Sequence, residues 1–263
     1  VLLVINKRSD IFTQADLGKL QVLSAQGAVA IENSRLFQQA DLISDFVHEL
    51  RTPLSSINTL NELLQREDIT LEQRMQLRKL MTNEIQRLKD LTNNFLDLTR
   101  LESGRLNFHL TSFQLADLIQ ECCNFLKPRM LENDLTCSLE LAPGLPELSA
   151  DLNKIKQVLL NLIGNAIRYN RRGGSVLIKA WAEADGLCVS VTDTGIGIPA
   201  DELPRISERF FRASNAEKHI PGTGLGMCIT RQIIEGHQGW LKIESELNVG
   251  STFTFMLPLR SRL

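Results

Sequence analysis

A histidine stands directly before a carboxylate in the segment 46–54, whose sequence is FVHELRTPL. A solvent-facing imidazole has a pKa near neutrality and can accept a phosphoryl group as a nucleophile. Glu49 can hold or remove the proton on one ring nitrogen of His48 while the other nitrogen attacks, which is the role of a general base. Taken alone, the same pattern also fits an ordinary surface histidine on an amphipathic helix.

Four polar residues recur at helical spacing further along the chain, namely Asn161, Asn165, Arg168 and Tyr169. An asparagine carboxamide is a neutral oxygen ligand that suits a Mg²⁺ ion already crowded by triphosphate oxygens, which favours Asn165 and also Asn161 as ligands. Arg168 can contact phosphate, and Tyr169 can lie against a base. A surface helix with incidental amides explains this motif equally well on its own.

A carboxylate follows an apolar strand at Asp193, which begins the segment DTGIGIP at 193–199. Burying a carboxylate at a strand end is costly unless something donates to it, and the exocyclic amine of adenine is such a donor. The glycines let the backbone approach the ring closely. The alternative is a plain strand-ending turn, which is common in any fold.

Glycines alternate in the segment GTGLG at 222–226, directly before a predicted helix. Backbone N–H groups and the positive end of a helix can hold phosphates at such a position. A dinucleotide-binding fingerprint is excluded, because no strand precedes these glycines and no acidic residue follows about 20 positions later. The polar stretch between Pro199 and Gly222 contains FFR and is too long for a tight turn, so we predict a mobile lid there.

Residues 41–101 have the pattern of a helical hairpin. A turn is predicted at Arg66–Ile69, and Thr70 with Gln73 forms a capping box for the second helix. An isolated hairpin leaves one side of each apolar stripe uncovered, so pairing with a second copy into a four-helix bundle is the expected way to bury it. The apolar stripes are Val47, Leu50, Leu54, Ile57 and Leu64 on the first helix, and Leu77, Met81, Ile85, Leu88, Leu91, Phe95 and Leu98 on the second.

The pattern changes after Ser103-Gly104, which predicts a hinge at Leu101–Gly104 and a separate domain beyond it. Alternation at Leu106, Phe108 and Leu110 predicts a strand. Helices grouped among strands and turns indicate an α+β sandwich. Further strands are predicted at Leu135–Leu141, Ser175–Ala184, Leu187–Thr192, Trp240–Ser245 and Ser251–Leu257, and helices at Leu115–Asn133, Asp151–Tyr169 and Leu225–Glu235.

The start of the chain predicts a buried strand at Val1–Ile5, followed by a long helix. Thr13 is the expected N-cap, with Asp16 three residues later. Apolar residues then recur at helical spacing from Leu17, and the helix is expected to continue into Phe46. The abrupt opening on an apolar strand suggests a fragment cut inside a preceding domain.

Composition excludes several classes of partner. Lys and Arg number 29 against 31 Asp and Glu, so a broad surface for nucleic acid or anionic membrane is not expected. No apolar stretch approaches the ~20 residues that a bilayer requires, and no export signal is present, so we expect a cytoplasmic chain without direct membrane contact. The five cysteines have no metal-ligand spacing and are expected to be reduced and mostly buried.

The four motifs resemble, in order and relation, the H, N, G1/F and G2 boxes of sensor histidine kinases, and the likeness extends from about Ala40 to Leu257. It implies a multi-domain chain with an all-α helical hairpin that forms a dimeric four-helix bundle, followed by an α+β sandwich ATP-binding domain with the Bergerat (GHKL-type) fold. Residues 41–103 resemble the HisKA-type dimerisation and phosphotransfer domain, and residues 104–263 the catalytic domain. Residues 1–40, with FTQADL and AIENSRL, resemble the last strand and exit helix of a GAF domain.

The resemblance also implies roles for individual residues. His48 would be phosphorylated, Glu49 would be its base, and Thr52 would hold the position that orients water when a partner is dephosphorylated. Arg212 of FFR would assist transfer, and Asn165 would ligate Mg²⁺ with Asn161 alongside. The implied ATP-binding set is Asn161, Asn165, Arg168, Tyr169, Asp193, Gly195, Gly197, Ile198, Gly222, Thr223, Gly224, Leu225 and Gly226.

The implied reaction is ATP-dependent phosphorylation of His48 in a homodimer, followed by relay to an aspartate of a separate response regulator in trans. One alternative is a nucleotide-hydrolysing relative, but such proteins carry an acidic residue where this sequence has Asn161. A second alternative is a scaffold that binds ATP without transferring phosphate, and the intact His48, Glu49 and Asn165 argue against it. Structural or solvated roles are expected for the histidines outside the motif, His109, His219 and His237.

Overall fold

The computed structural model describes residues 13–102, 108–216 and 222–259 of the 263-residue chain. The predicted strand Val1–Ile5 lies outside the described residues. The same holds for residues 103 and 104 of the predicted hinge, and for residues 217–221 of the predicted lid, which include His219.

Helix α1 (Gln14–Leu64) is a single helix of 51 residues that contains His48. Its N-cap is the predicted one, because the Thr13 side chain accepts from the Asp16 backbone N–H while the Asp16 carboxylate accepts from the Thr13 backbone N–H. Helix α2 (Leu71–Glu102) begins after the predicted capping box, in which Thr70 and Gln73 exchange hydrogen bonds of 2.9 and 3.2 Å. The predicted N-terminal helix and the first hairpin helix are therefore one element.

The two helices pack antiparallel along part of their apolar stripes. The rings of Phe46 and Phe95 stack with their centroids 3.8 Å apart. Leu91 and Leu98 on α2 are buried, whereas Val47 and Leu54 on α1 are each 48% exposed in the single chain. The hairpin therefore covers only one side of its apolar surface, as the sequence predicts.

A five-stranded mixed sheet forms one layer of the second half of the chain, in the order β2-β4-β5-β7-β6. Strands β2 and β4 are parallel and the other neighbours are antiparallel. The predicted strands agree with it to within one residue at each end. The strands are β2 (Thr136–Leu141), β4 (Ser175–Glu183), β5 (Gly186–Asp193), β6 (Trp240–Glu246) and β7 (Gly250–Pro258).

Three helices cover this sheet, namely α3 (Leu115–Glu132), α4 (Leu152–Arg168) and α5 (Gly226–Gly236). The apolar face of α4 is fully buried, and each buried aliphatic side chain contributes about 1.5–3 kcal/mol to folding. Because one face of α4 is fixed in the core, its polar residues must point away from the sheet. The core side of α4 consists of Ile155, Val158, Leu159, Leu162, Ile163, Ala166 and Ile167.

One strand prediction is wrong. Residues 108–110 belong to no strand, and the pairing occurs instead between β1 (Thr111–Phe113) and β3 (Leu148–Ala150), of which β3 was not predicted. Each of these strands has three residues, and within the described part of the chain they form a two-stranded sheet of their own. Such short strands are too brief to show the alternation by which strands are recognised in a sequence.

Candidate functional site

A cleft of about 740 Å³ lies beside the polar face of α4. Its walls include the turn that follows β5, the glycine-rich segment before α5 and one face of α2. Gly195 and Leu225 do not line the cleft, and neither do His48, Glu49 and Thr52. The predicted residues that do line it are Asn161, Asn165, Arg168, Tyr169, Asp193, Gly197, Ile198, Arg212, Gly222, Thr223, Gly224 and Gly226.

The two asparagines of α4 face the start of α5. The amide nitrogen of Asn161 donates to Thr230 Oγ1 at 2.8 Å, and that of Asn165 lies 3.7 Å from Met227 Sδ. Among the described residues, no hydrogen bond reaches the carbonyl oxygen of Asn165. That oxygen is therefore available to a hard cation, which prefers oxygen ligands.

Asp193 is the last residue of β5 and is only 6% exposed. Burial raises the pKa of its carboxyl group to about 6, although hydrogen bonds from the backbone of Gly195 and Ser251 act in the opposite direction. The Gly195 N–H donates to Asp193 Oδ1 at 2.8 Å. A buried carboxylate that faces the cleft is placed to accept a further hydrogen bond from a ligand.

Two glycines are required by the geometry around the cleft. Gly197 has φ +66° and lies against the backbone of Glu246, so any side chain there would be strained. A Cβ at Gly226 would collide with the amide of Asn161. These close approaches explain why glycine stands at both positions.

The described part of the predicted lid is attached to the turn after β5. Asn215 Nδ2 donates to the carbonyl oxygen of Gly197 at 2.9 Å, and the Ser214 N–H donates to the Glu202 carboxylate at 2.9 Å. The Arg205 guanidinium lies 4.4 Å from the centroid of the Phe211 ring. Arg212, the next residue, is thereby held at the wall of the cleft.

Arg171 is a site residue that the sequence analysis missed. Its guanidinium donates to the carbonyl oxygen of Gly195 at 3.0 Å and also to that of Asn248, in the turn between β6 and β7. It therefore joins the segment after α4 to the turn that follows Asp193. Backbone carbonyls leave no trace in a sequence pattern, so nothing in the motif indicates this contact.

The sequence analysis also did not predict that one face of α2 forms a wall of the cleft. Asn94 Nδ2 lies 3.3 Å from Thr223 Oγ1, and Asp97 accepts from Lys154 Nζ at 3.2 Å and from Gln157 Nε2 at 2.9 Å. We call these three hydrogen bonds the docking contact. The spacing of the cleft-lining residues of α2 is helical and was visible in the sequence as a polar stripe: Asn83, Gln86, Arg87, Asp90, Asn93, Asn94 and Asp97.

His48 stands on the exposed surface of α1. Its side chain is 76% exposed, and Nδ1 lies 3.9 Å from Glu49 Oε1, which is beyond a hydrogen bond but within an ion-pair distance. Thr52, one turn further on, is also exposed. The nucleophile expected from the sequence is therefore accessible, and it lies outside the cleft.

His237 has the structural role expected of it. It is buried, its Nδ1 lies 2.7 Å from the carbonyl oxygen of Ile233, and its Nε2 accepts from the Asp151 N–H at 3.1 Å. Asp151 in turn caps α4 and accepts from the His109 N–H. Burial lowers the pKa of the His237 imidazole. No group of His, Cys, Asp and Glu residues with the arrangement of a metal site occurs in the described parts of the chain.

Two family models match the chain. Residues 150–261 match the histidine kinase-, DNA gyrase B- and HSP90-like ATPase family, and residues 38–104 match the His Kinase A (phospho-acceptor) domain. The first match covers the cleft-lining residues from Gln157 onward, and the second covers the helical hairpin from residue 38. Neither extends to residues 1–37, so the GAF-like likeness is not confirmed. No described helix has the length and apolar character to cross a bilayer.

Curated relatives and solved structures agree with these matches. The chain is 36% identical over 233 residues (84% of the chain) to the non-motile and phage-resistance protein of Caulobacter vibrioides. It is 32% identical over 237 residues (88%) to the circadian input-output histidine kinase CikA of Synechococcus elongatus. The chain spans only 27% and 31% of these relatives' lengths.

A structure of the histidine kinase ThkA in complex with the response regulator protein TrrA has the same fold, with a TM-score of 0.70 at 24% identity. The likeness covers 87% of this chain and 64% of that chain.

Proposed function

Because this chain belongs to the sensor histidine kinase family, we propose that it transfers the γ-phosphoryl group of ATP to its own His48. The observation that carries the proposal is the presence, in one chain, of an exposed histidine beside a carboxylate and of a cleft with a buried carboxylate and paired asparagines. We divide the chain into a signalling segment at 1–40, a dimerisation and phosphotransfer domain at 41–103 and a catalytic domain at 104–263.

The cleft would hold the nucleotide along α4. In this arrangement the Asp193 carboxylate accepts a hydrogen bond from the exocyclic amine of adenine, Tyr169 lies against the base and Arg168 contacts phosphate. The segment 222–226 holds phosphates with its backbone N–H groups at the start of α5. Asn165 and Asn161 would hold Mg²⁺, which when bound neutralises phosphate charge.

The chemistry requires one nucleophile and a group that controls its proton. One ring nitrogen of His48 attacks the γ-phosphorus, the new N–P bond forms, and the bond to the β–γ bridging oxygen breaks to release ADP. Glu49, whose Oε1 lies 3.9 Å from His48 Nδ1, holds the proton of that ring nitrogen while the other nitrogen attacks. Arg212 at the cleft wall stabilises the transferring group.

His48 does not line the cleft, so the catalytic domain must leave α2 before transfer. The exposed apolar residues of the hairpin, among them Val47, Leu54 and Ile85, are covered in our proposal by a second copy of the chain in a four-helix bundle. The homodimer therefore presents two His48 side chains on its outer surface.

The second step would pass the phosphoryl group to an aspartate of a response regulator in trans. The complex of ThkA with TrrA supports a partner of this class, since its kinase has the same fold as this chain. Thr52, exposed one turn after His48, would orient the water that removes phosphate from that partner. We place the reaction in the cytoplasm.

Incubation with γ-labelled ATP tests the proposal. Wild-type protein should acquire acid-labile, alkali-stable label, and His48→Ala should lose it. His109→Ala is the matched control, because His109 is exposed, lies outside the cleft and should leave labelling unchanged. Label that survives in His48→Ala would overturn the assignment. Release of phosphate without any protein-bound label would instead support the hydrolytic alternative.

A further inference from the structure

Arginine side chains outnumber carboxylates along the walls of the cleft. Three aspartates line it, and the hydrogen bonds that reach Asp97 and Asp90 come from Lys154, Gln157 and Gln86. The walls therefore favour an anionic ligand. The four arginines that line the cleft come from α2, α3, α4 and the lid: Arg87, Arg129, Arg168 and Arg212.

Arg87 is the arginine that the helical hairpin supplies. It stands on α2 about two turns before Asn94, so the two residues lie on the same face of that helix. Its side chain is 22% exposed, and Nη1 lies 3.8 Å from Glu84 Oε2, which is beyond a hydrogen bond. Among the described residues, no hydrogen bond reaches its guanidinium. A largely covered guanidinium without acceptors is costly, so a ligand that accepts from it would be bound favourably.

Arg168 lines the same cleft from the end of α4. A Cβ placed on Gly222 would lie 3.6 Å from Arg168 Nη1, so this guanidinium stands beside the glycine-rich segment. The next residue of that segment, Thr223, lies 3.3 Å from Asn94 on α2. The place that the proposed function gives to the phosphates is therefore bordered by α4 on one side and by α2 on the other.

We propose that Arg87 binds the terminal phosphates of ATP while the docking contact is formed. The inference rests on the proposed function, which puts the nucleotide in this cleft. Phosphate oxygens match the planar guanidinium, which can donate two parallel hydrogen bonds to them. Because Arg87 belongs to α2 and the other proposed ATP contacts belong to the catalytic domain, the nucleotide bridges the two domains.

A bridging nucleotide couples ATP binding to docking. A ligand that gains a contact in only one of two states shifts the population towards that state, and the effect is reciprocal. ATP should therefore strengthen the docking contact, and the docking contact should strengthen the binding of ATP. Release of the phosphates by Arg87 is then part of the step that frees the catalytic domain to reach His48.

The test is equilibrium binding of a non-hydrolysable ATP analogue, with Mg²⁺, to the full chain. Arg87→Gln should raise the Kd for the analogue about tenfold. The Kd for AMP, which has no terminal phosphates, should stay unchanged, and this result also shows that the variant is folded. Arg78→Gln is the matched control and should bind the analogue as wild type does, because Arg78 is exposed on α2 and does not line the cleft.

Glu84→Gln separates a phosphate contact from a structural ion pair. It removes the carboxylate beside Arg87, so the affinity for the analogue should be unchanged or higher. The effect of Arg87→Gln should also shrink when Asn94 and Asp97 are both alanine, because the phosphate contact depends on docking. A loss of affinity in Glu84→Gln equal to that in Arg87→Gln would overturn the inference, as would an undiminished effect in the undocked background.

Asp193→Asn distinguishes failure of this inference from failure of the proposed function. If Asp193→Asn weakens binding of the analogue and Arg87→Gln does not, the nucleotide binds in the cleft without α2 and only the inference is wrong. If neither variant changes the Kd, the cleft is not the nucleotide site and both are wrong. Equal losses of AMP and analogue binding in Arg87→Gln would overturn the contact with the terminal phosphates.

Discussion

The side-chain amide of Asn94 lies within hydrogen-bonding distance of the Thr223 hydroxyl, and this 3.3 Å contact joins α2 to the glycine-rich turn of the cleft. One turn later on α2, Asp97 binds Lys154 and Gln157 at the start of α4. The docking contact thus holds the glycine-rich turn and the start of α4 against α2. His48 of the same chain lies on α1 and does not line the cleft, so in our proposal the docking contact restrains phosphoryl transfer.

Removal of the docking contact should accelerate the labelling of His48. In the double variant Asn94→Ala with Asp97→Ala, the docked state loses three hydrogen bonds, or about 3 kcal/mol, since each is worth about 1 kcal/mol net. We expect the initial rate of autophosphorylation to rise about fivefold or more, as measured with γ-labelled ATP.

Asp90→Ala is the control for this experiment, because Asp90 lines the same face of α2 but its hydrogen bond is to Gln86 on α2 itself. A double variant with an unchanged or slower rate would contradict the view that the docking contact restrains transfer.

Loss of Arg171 should weaken nucleotide binding without unfolding the domain. In Arg171→Ala, the carbonyls of Gly195 and Asn248 lose their common donor, and the turn after Asp193 is held less firmly. We expect the Kd for ATP to rise about tenfold, which corresponds to about 1.4 kcal/mol. Arg172→Ala is the matched control, since Arg172 pairs with Asp134 on an exposed surface. Equal effects of the two variants on ATP affinity would contradict the role of Arg171.

Neutralising Asp193 should stabilise the unliganded protein while impairing nucleotide binding. The pKa of its carboxyl is raised to about 6 in the folded chain from an ordinary value of 3.8. The stability that protonated Asp193 gives is present below pH 3.8 and is lost as the pH rises through about 6. Asp193→Asn should therefore gain about 1–3 kcal/mol in urea unfolding at pH 7.5 and no longer bind ATP tightly. A variant that is less stable than wild type at pH 7.5 would refute this account.

His237 should make the catalytic domain sensitive to acid. Burial lowers the pKa of its imidazole below 6.5, and protonation of Nε2 would remove the acceptor for the Asp151 N–H. The contribution of neutral His237 to the stability of the folded domain is therefore complete above pH 6.5 and is lost as the pH falls below that value.

His237→Gln keeps a donor and an acceptor but does not titrate. We expect unfolding experiments between pH 7.5 and pH 5 to show that wild type loses about 1 kcal/mol more than this variant. The comparison isolates His237, because Asp193 titrates equally in both proteins. Parallel pH profiles for the two would exclude His237 as the cause.

Local patterns predicted the polar face of α4 and the end of β5. The apolar residues of α4 fix its rotation against the sheet, so Asn161 and Asn165 could be assigned to the opposite side from spacing alone. Asp193 could likewise be placed at a strand end, because the strand before it, GLCVSVT, is mainly apolar and rich in β-branched residues. These predictions depend only on the periods of helix and strand.

Long-range contacts could not be predicted in this way. Asp97 and Lys154 are 57 positions apart, and no periodicity relates a residue of one helix to a residue of another. The same is true of His237 and Asp151, which meet across 86 positions. The pair β1–β3 was missed for a different reason, since three-residue strands hold too little pattern.

Helix α1 is unbroken from Gln14 to Leu64, so it extends for about 76 Å at 1.5 Å per residue. Its residues keep a constant phase, with each position turned by about 100° from the one before it. A rotation imposed near Gln14 would therefore reach His48 at nearly full angle. One residue inserted between positions 20 and 34 would turn His48 out of phase with the upstream helix, whereas seven inserted residues would nearly restore it. The direction in which His48 points therefore depends on the number of helical residues that precede it.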